Sequence, residues 1–310
     1  MTILATGPGT PLEKPSVFSA LGIQFWDFAL DKPVDSDLQV TAWVADSYYP
    51  PTPAYRTGSG NYAFLGLPGM HDVEYPVPGK PVPSPPRTFS FVITVEDRLH
   101  WFLPTLFGVD LPLPYRGLFL SNVTGSPANV EGRAYLFSAP TRAVTVGMSA
   151  VRVTVWDKDA DQPAAFAALR VNINGETWTG IADQEGRALI AFPSPLVNRL
   201  SLGSPPGSGQ GSPAGMTWPV SVQVLYKAAH LRFLLQNTPD MPWPWNATPS
   251  LKSVLDAQAP ALIWQTEAGP PVHDWTGTLT YGEELVLRTT LNNPAVLSAV
   301  LLISQSTTSP

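Results

Sequence analysis

Hydrophobic and polar positions alternate with period two in short runs along most of this chain. LQVTAWV (38–44), NYAFLGL (61–67), TFSFVITVED (88–97), AVRVTVWD (150–157), LRVNING (169–175), RALIAF (187–192) and WPVSVQVLY (218–226) all carry the alternation and are rich in β-branched and aromatic residues. That period sends successive side chains to opposite faces of a pleated strand. The 35 prolines and 24 glycines are spread over the whole length and interrupt any long helix. Many short strands with turn signals between them predict an all-β fold of Ig-like β-sandwiches.

The pattern also repeats. FWDFALDKP (25–33) and VWDKDADQP (155–163) share Trp-Asp, a second Asp four residues after the first, and a Pro two further on. Trp26, Asp27, Asp31 and Pro33 correspond to Trp156, Asp157, Asp161 and Pro163, each at an offset of 130. Both copies continue into a Leu-x-Val strand, a Gly turn with a strand ending in Pro (GNYAFLGLP, 60–68; GRALIAFP, 186–193) and a closing alternating strand. The chain therefore reads as two copies of one small sandwich, with the motif marking the same strand and turn in each. Trp caps a strand end and the Asp-x-Pro turn redirects the backbone.

This divides the chain into an N-terminal arm (1–17), sandwich 1 (18–118), sandwich 2 (119–228) and a C-terminal extension (229–310). Sandwich 2 contains a flexible low-complexity loop at 203–215, GSPPGSGQGSPAG. In the extension, TPSLKSVLDAQ (248–258) is expected to be a helix, with Thr248 as its cap and Pro249 in its first turn. TGTLTYGEELVLRTTL (276–291) reads as a hairpin turning at YGEE. AVLSAVLLIS (295–304) reads as an apolar terminal strand, buried in a sheet or against a neighbouring subunit. The extension either stands alone or completes sandwich 2.

Composition narrows the function. Of 310 residues, 44% are hydrophobic and only 14% charged, against about 25% charged in an average soluble protein. A surface so poor in charge suits packing against neighbours. The net charge is -6 and no basic cluster occurs, which argues against nucleic acid as a partner. Cysteine is absent, so disulfides, thiolate metal sites and Cys nucleophiles are excluded. The start, MTILATGPGTPLEKPS, has neither a basic region nor an apolar run, which predicts cytoplasmic assembly without Sec export and release, if any, by lysis. The most apolar stretch, 295–303, is too short for a transmembrane span of about 20 residues.

Candidate chemistry is sparse. His71, His100, His230 and His273 are scattered without metal-ligand spacing; His100, between Leu99 and Trp101, is expected to be half-buried. Asp157, Asp159 and Asp161 alternate like the opening of a calcium loop, but Gln162 and Ala168 stand where such a loop wants Gly and an acid. An acidic solvated turn is the competing reading. GSGQGS lacks the context of a phosphate loop, and no G-x-S-x-G elbow occurs. No catalytic residue and no cofactor is assigned. Of the ten tryptophans, Trp243 and Trp245 in MPWPWN stand out. In a Pro-locked extended segment they would share one face, either packed within the chain, anchored in a protein interface or stacked on sugar.

Two resemblances add to this. Gly60, Tyr62, Phe64, Leu67, Pro68 and Gly69 resemble the G-x-Y-x-F-x-x-L-P-x-G run of carboxypeptidase-regulatory, transthyretin-like sandwiches. The likeness covers 20–118 and, more loosely, 150–228. It implies an accessory or interaction module and no activity. The succession FLGLPGM, RLHWFLPTLFGVDLP, LFSAPTR (136–142) and Pro163-Ala164-Ala165 is similar to uncharacterised proteins encoded with contractile injection systems, the phage-tail-like particles of bacteria. That resemblance, over about 20–230, implies a non-enzymatic structural subunit at the baseplate, cap or sheath. Its partners would be other particle subunits, with a homo-oligomeric ring as one arrangement. The alternative expectation is a carbohydrate- or cell-surface-binding module, and a third is an enzyme whose site is not recognised.

Overall fold

The structure, a computed structural model, describes residues 19–75, 88–111, 133–195, 216–238, 240–291 and 298–305. The N-terminal arm and the 203–215 loop lie outside the described residues. The fold is all-β: among the described residues, four sheets account for nearly all the regular structure, beside two short α-helices and two single 3-10 turns.

Sandwich 1 opens with β1 (Leu21–Asp27), which buries Leu21, Ile23 and Phe25 on alternate positions. It pairs antiparallel with β2 (Lys32–Pro33) and with β6 (Tyr62–Phe64), which is flanked by β5 (Tyr55–Arg56). The facing sheet runs β4 (Thr52–Pro53), β3 (Leu38–Trp43), β7 (Phe89–Asp97), β8 (Thr105–Leu111). Phe25, Phe64, Phe91 and Ile93 fill the space between the sheets with almost no exposure, each stabilising by about 1.5–3 kcal/mol through burial. The one-turn helix α1 (His71–Glu74) places Glu74 inside, where its carboxylate accepts the amides of Gly66 and Leu67 at 2.9–3.3 Å and fixes the FLGLPG loop.

Beyond residue 118 the chain still belongs to this unit. Strand β9 (Arg133–Leu136) pairs parallel with β1, Phe25 opposite Ala134. A boundary at 118 therefore falls inside sandwich 1.

Sandwich 2 repeats the plan. Strand β10 (Met148–Asp157) pairs with β11 (Gln162–Pro163) and with β14 (Arg187–Pro193). The facing sheet runs β13 (Glu176–Ile181), β12 (Ala168–Ile173), β15 (Thr217–Leu225), β17 (Asp274–Thr280). Asn174 and Gly175 join β12 to β13 with φ of 54° and 84°, the left-handed pair that a two-residue hairpin turn needs.

The C-terminal extension supplies strands to sandwich 2. β18 (Glu284–Leu287) and β19 (Leu301–Gln305) both pair parallel with β10, and β16 (Ala261–Trp264) pairs with β19. The 276–291 stretch is thus not a hairpin. β17 bonds to β15 in one sheet and β18 to β10 in the other, so YGEE carries the chain across the sandwich. The terminal apolar strand is buried between β10 and β16 of its own chain; residues 292–297 lie outside the described residues.

The helix in the extension, α2 (Leu251–Asp256), is shorter than its sequence predicts, and Ser250 stands at its N-cap position without a side-chain capping bond. Thr248 does not cap it, because it lies two residues before the N-cap position, where its hydroxyl donates to the Pro244 carbonyl at 2.9 Å.

Candidate functional site

The repeated motif builds the same strand and turn in both sandwiches. Trp26 lies opposite Pro33 and Trp156 opposite Pro163. Asp31 and Asp161 both adopt left-handed backbone, φ 47° and 49°, a conformation in which Asp is one of the few tolerated side-chain-bearing residues. Asp27 Oδ1 accepts the Ala29 amide at 2.9 Å, and Asp157 Oδ1 accepts the Asp159 and Ala160 amides at 3.0 and 3.3 Å. The turn also docks on the parallel strand in the same way: Phe28 donates to the Leu136 carbonyl, and Lys158 to that of Ile303.

Each carboxylate of the acidic triplet accepts from protein donors in this structure. The second oxygen of Asp157 accepts the Gln305 side-chain amide at 3.2 Å. Asp159 accepts the Gln305 backbone amide at 3.1 Å, and Asp161 accepts the Trp156 indole at 3.2 Å. Asp157, Asp159 and Asp161 thus serve protein donors on different sides of one turn. Among the described residues no three His, Asp or Glu side chains are grouped to hold a metal.

The two turns differ where their surroundings differ. Ala29 stands at the place of Asp159 and is buried against Ala150, Leu189 and Ala191 of sandwich 2. A carboxylate there would be desolvated without a partner. Asp159 lies at the far end of sandwich 2 and is exposed.

The linker between the sandwiches is the LFSAPTR stretch, and it is held from both sides. Arg142 forms a two-pronged pair with Asp27 of sandwich 1 and donates to the Ser138 hydroxyl. Arg152 on β10 donates to the carbonyls of Pro140 and Arg142 and pairs with Glu284 at 2.6 Å. Ala139 and Thr141 bond to the Trp101 and His100 carbonyls.

A second connection runs through residues 231–256. After β15 the chain crosses to the outer face of the β3–β7–β8 sheet, where Leu235 and Trp245 bury against Val92 and Leu106. It returns as α2, whose Leu251, Val254 and Leu255 join a core shared by sandwich 1 with Ala168, Ile181 and Leu225 of sandwich 2.

Trp243 and Trp245 sit on this strap but not on one face. The Trp245 amide bonds to the Pro242 carbonyl and the Ala247 amide to that of Pro244. These successive turns replace the expected strand, so Trp245 is buried at 8% exposure while Trp243 is 73% exposed.

Trp243 stands at the edge of a groove of about 360 Å³ between the two sandwiches and the strap. Leu106, Phe137, Ile181 and Leu251 are among its apolar lining residues, with Phe166 and His100 beside them and Glu96, Asp183 and Glu185 also present. Arg187 is the cation there, already shared by Asp183 and Glu185 at 2.8 and 2.9 Å. The Asp183 hydrogen bond, then its charge, raises the Arg187 pKa. Phe166 and His100 are held at φ 60° and 54°; such strain costs on the order of 1–3 kcal/mol per residue and gathers at functional sites. His100 is exposed on its turn rather than half-buried, because the Asp97 carboxylate takes the amides of Leu99, Trp101 and Phe102 and curls the loop outward. Sequence reading misses this groove, since its walls come from five separated segments.

No protein-family model matches the chain, and no curated protein sequence does. Among solved structures it is similar to the shaft pilin SpaA of Lactobacillus rhamnosus GG, at 8% identity over 94% of this chain and 99% of that one, TM-score 0.23. A candidate adhesin of Bacteroides ovatus aligns at 9% identity over 85% of this chain and 96% of that one, TM-score 0.19. Likenesses this slight assign no function and no partner.

Proposed function

We propose that the chain is a non-enzymatic structural subunit of a contractile, phage-tail-like particle, working through contacts with other subunits. The observation that carries this is the double connection of the sandwiches. The linker is clamped from both sides, and the strap is anchored on sandwich 1 by Leu235 and Trp245 and at the junction by α2, which makes one stiff body of two modules. A subunit that fixes the spacing of its neighbours needs that stiffness, whereas independent binding modules are more often joined by open linkers. The LFSAPTR stretch, on which the particle resemblance rests, is the clamped linker itself. Low surface charge suits a chain covered by neighbours.

The test is purification of the particles from the source organism, with quantitative mass spectrometry of their subunits. This chain is expected at a fixed ratio to the sheath and tube proteins. Its absence from particles, together with recovery as a free monomer, overturns the reading.

One observation favours a second reading. Trp243 presents most of its indole to solvent beside a groove, an arrangement on which a sugar ring stacks. A glycan array probed with the chain and its Trp243→Ala variant separates this carbohydrate-binding module from the structural subunit.

A further inference from the structure

We propose that the groove between the sandwiches receives the proline-rich segment KPVPSPPR, residues 80–87, of a second copy of the chain. This goes beyond the structural-subunit reading and does not depend on the particle.

Three properties of the groove point to this occupant. Its lining is aromatic and apolar: the exposed Trp243, Pro244 and Phe166 share it with Leu106, Phe137, Ile181 and Leu251. Proline-rich segments dock in such grooves because they are already extended in solution and lose little entropy on binding. Its charge is unbalanced, since Glu96, Asp183 and Glu185 outnumber the single Arg187, which its two acidic neighbours already share. The segment is complementary: Pro83 and Pro86 carry the Pro-x-x-Pro spacing, and Lys80 and Arg87 flank them with the only charges it has. Finally, a groove of about 360 Å³ has the scale of a small-ligand or short-peptide cleft, not of a domain interface.

The experiment uses the full chain and a synthetic KPVPSPPR peptide. Binding is followed by calorimetry and by tryptophan fluorescence, and self-association by sedimentation velocity over a concentration series. The peptide is expected to bind saturably, and the full chain to self-associate with rising concentration. Trp243→Ala should weaken peptide binding tenfold or more, and Glu96→Gln should weaken it severalfold and flatten its salt dependence. The full-length Lys80→Gln/Arg87→Gln variant should lose self-association while its groove still binds the free peptide. Trp243 is a surface residue, so an unchanged melting curve for Trp243→Ala confirms that lost binding is not lost folding. A peptide that fails to bind overturns the proposal. So does peptide binding that Trp243→Ala and Glu96→Gln leave untouched. Peptide binding by a chain that stays monomeric at every concentration overturns the second copy as the occupant and assigns the groove to another protein's proline-rich segment.

Discussion

Arg142 grips Asp27 across 115 residues of sequence, Nη1 donating to Oδ1 at 3.0 Å and Nη2 to Oδ2 at 2.5 Å. Both side chains are below a tenth exposed, and the guanidinium also lies 5.1 Å from the centre of the Phe102 ring. The pair ties the linker to the turn that the repeat announces. Arg142→Met leaves Asp27 buried without its cation, with only the Ala29 amide still bonded to it, and breaking such a pair costs about 3–5 kcal/mol. Denaturant unfolding should show that loss. The double variant Asp27→Asn/Arg142→Met should recover a substantial part of it, because no unpaired charge remains.

Gly60 and Gly186 hold the same place in the two copies, at φ 82° and 75°, yet they should respond differently to Ala. Each turn closes alike, Gly60 N to the Thr57 carbonyl and Gly186 N to that of Asp183. A Cβ on Gly60 meets nothing within 4 Å, so Gly60→Ala pays only for the left-handed backbone, about 1–2 kcal/mol. A Cβ on Gly186 would lie 2.4 Å from the Val155 carbonyl, and backbone cannot swing aside as a side chain does. Thermal melts of the two variants should therefore separate, with Gly186→Ala clearly the less stable. Equal melting temperatures would contradict this packing.

The two strap tryptophans give a second contrast. Trp245→Ala empties a site walled by Val92, Leu106 and Leu235 and should cost about 3–5 kcal/mol. Trp243→Ala removes an exposed ring and should change stability by no more than about 0.5 kcal/mol. Limited proteolysis should cut the strap faster in Trp245→Ala than in the parent, since the strap loses its anchor on sandwich 1.

These contrasts show which parts of the molecule are written locally. β3, β7, β10 and β15 are legible because alternation is a property of adjacent residues, and the Trp-Asp repeat is legible because each turn closes on its own side chains. The Asn174-Gly175 turn is equally local, a pair that few other turns accept, yet the strand reading of 169–175 runs across it, and β12 ends at Ile173. The stretch at 276–291 misleads because a tight turn looks the same whether its strands pair or part; β17 and β18 part because β15 and β10 each offer a free edge. MPWPWN misleads because alternation between prolines mimics a strand while the backbone bonds close turns. The Arg142–Asp27 pair and the groove have no local signature, as their members meet only after the sandwiches dock.

Tyr226 predicts the behaviour at high pH. It follows β15, is 3% exposed and belongs to the sandwich 2 core. Burial, and next the negative charge of Asp157, raises its pKa above the ordinary value of 10.0. The neutral phenol is thus the form the fold prefers. In the unfolded chain Tyr226 ionises near pH 10, while in the native state it holds its proton to a higher pH. Its contribution is therefore complete below pH 10 and is lost as pH rises through the native-state value, because the unfolded chain is then the better acid. Stability measured by denaturant between pH 8 and 11.5 should fall beyond pH 10. Tyr226→Phe cannot ionise and should flatten part of that fall, while costing little at neutral pH. A variant whose alkaline profile superimposes on the parent's would show that Tyr226 does not carry the transition.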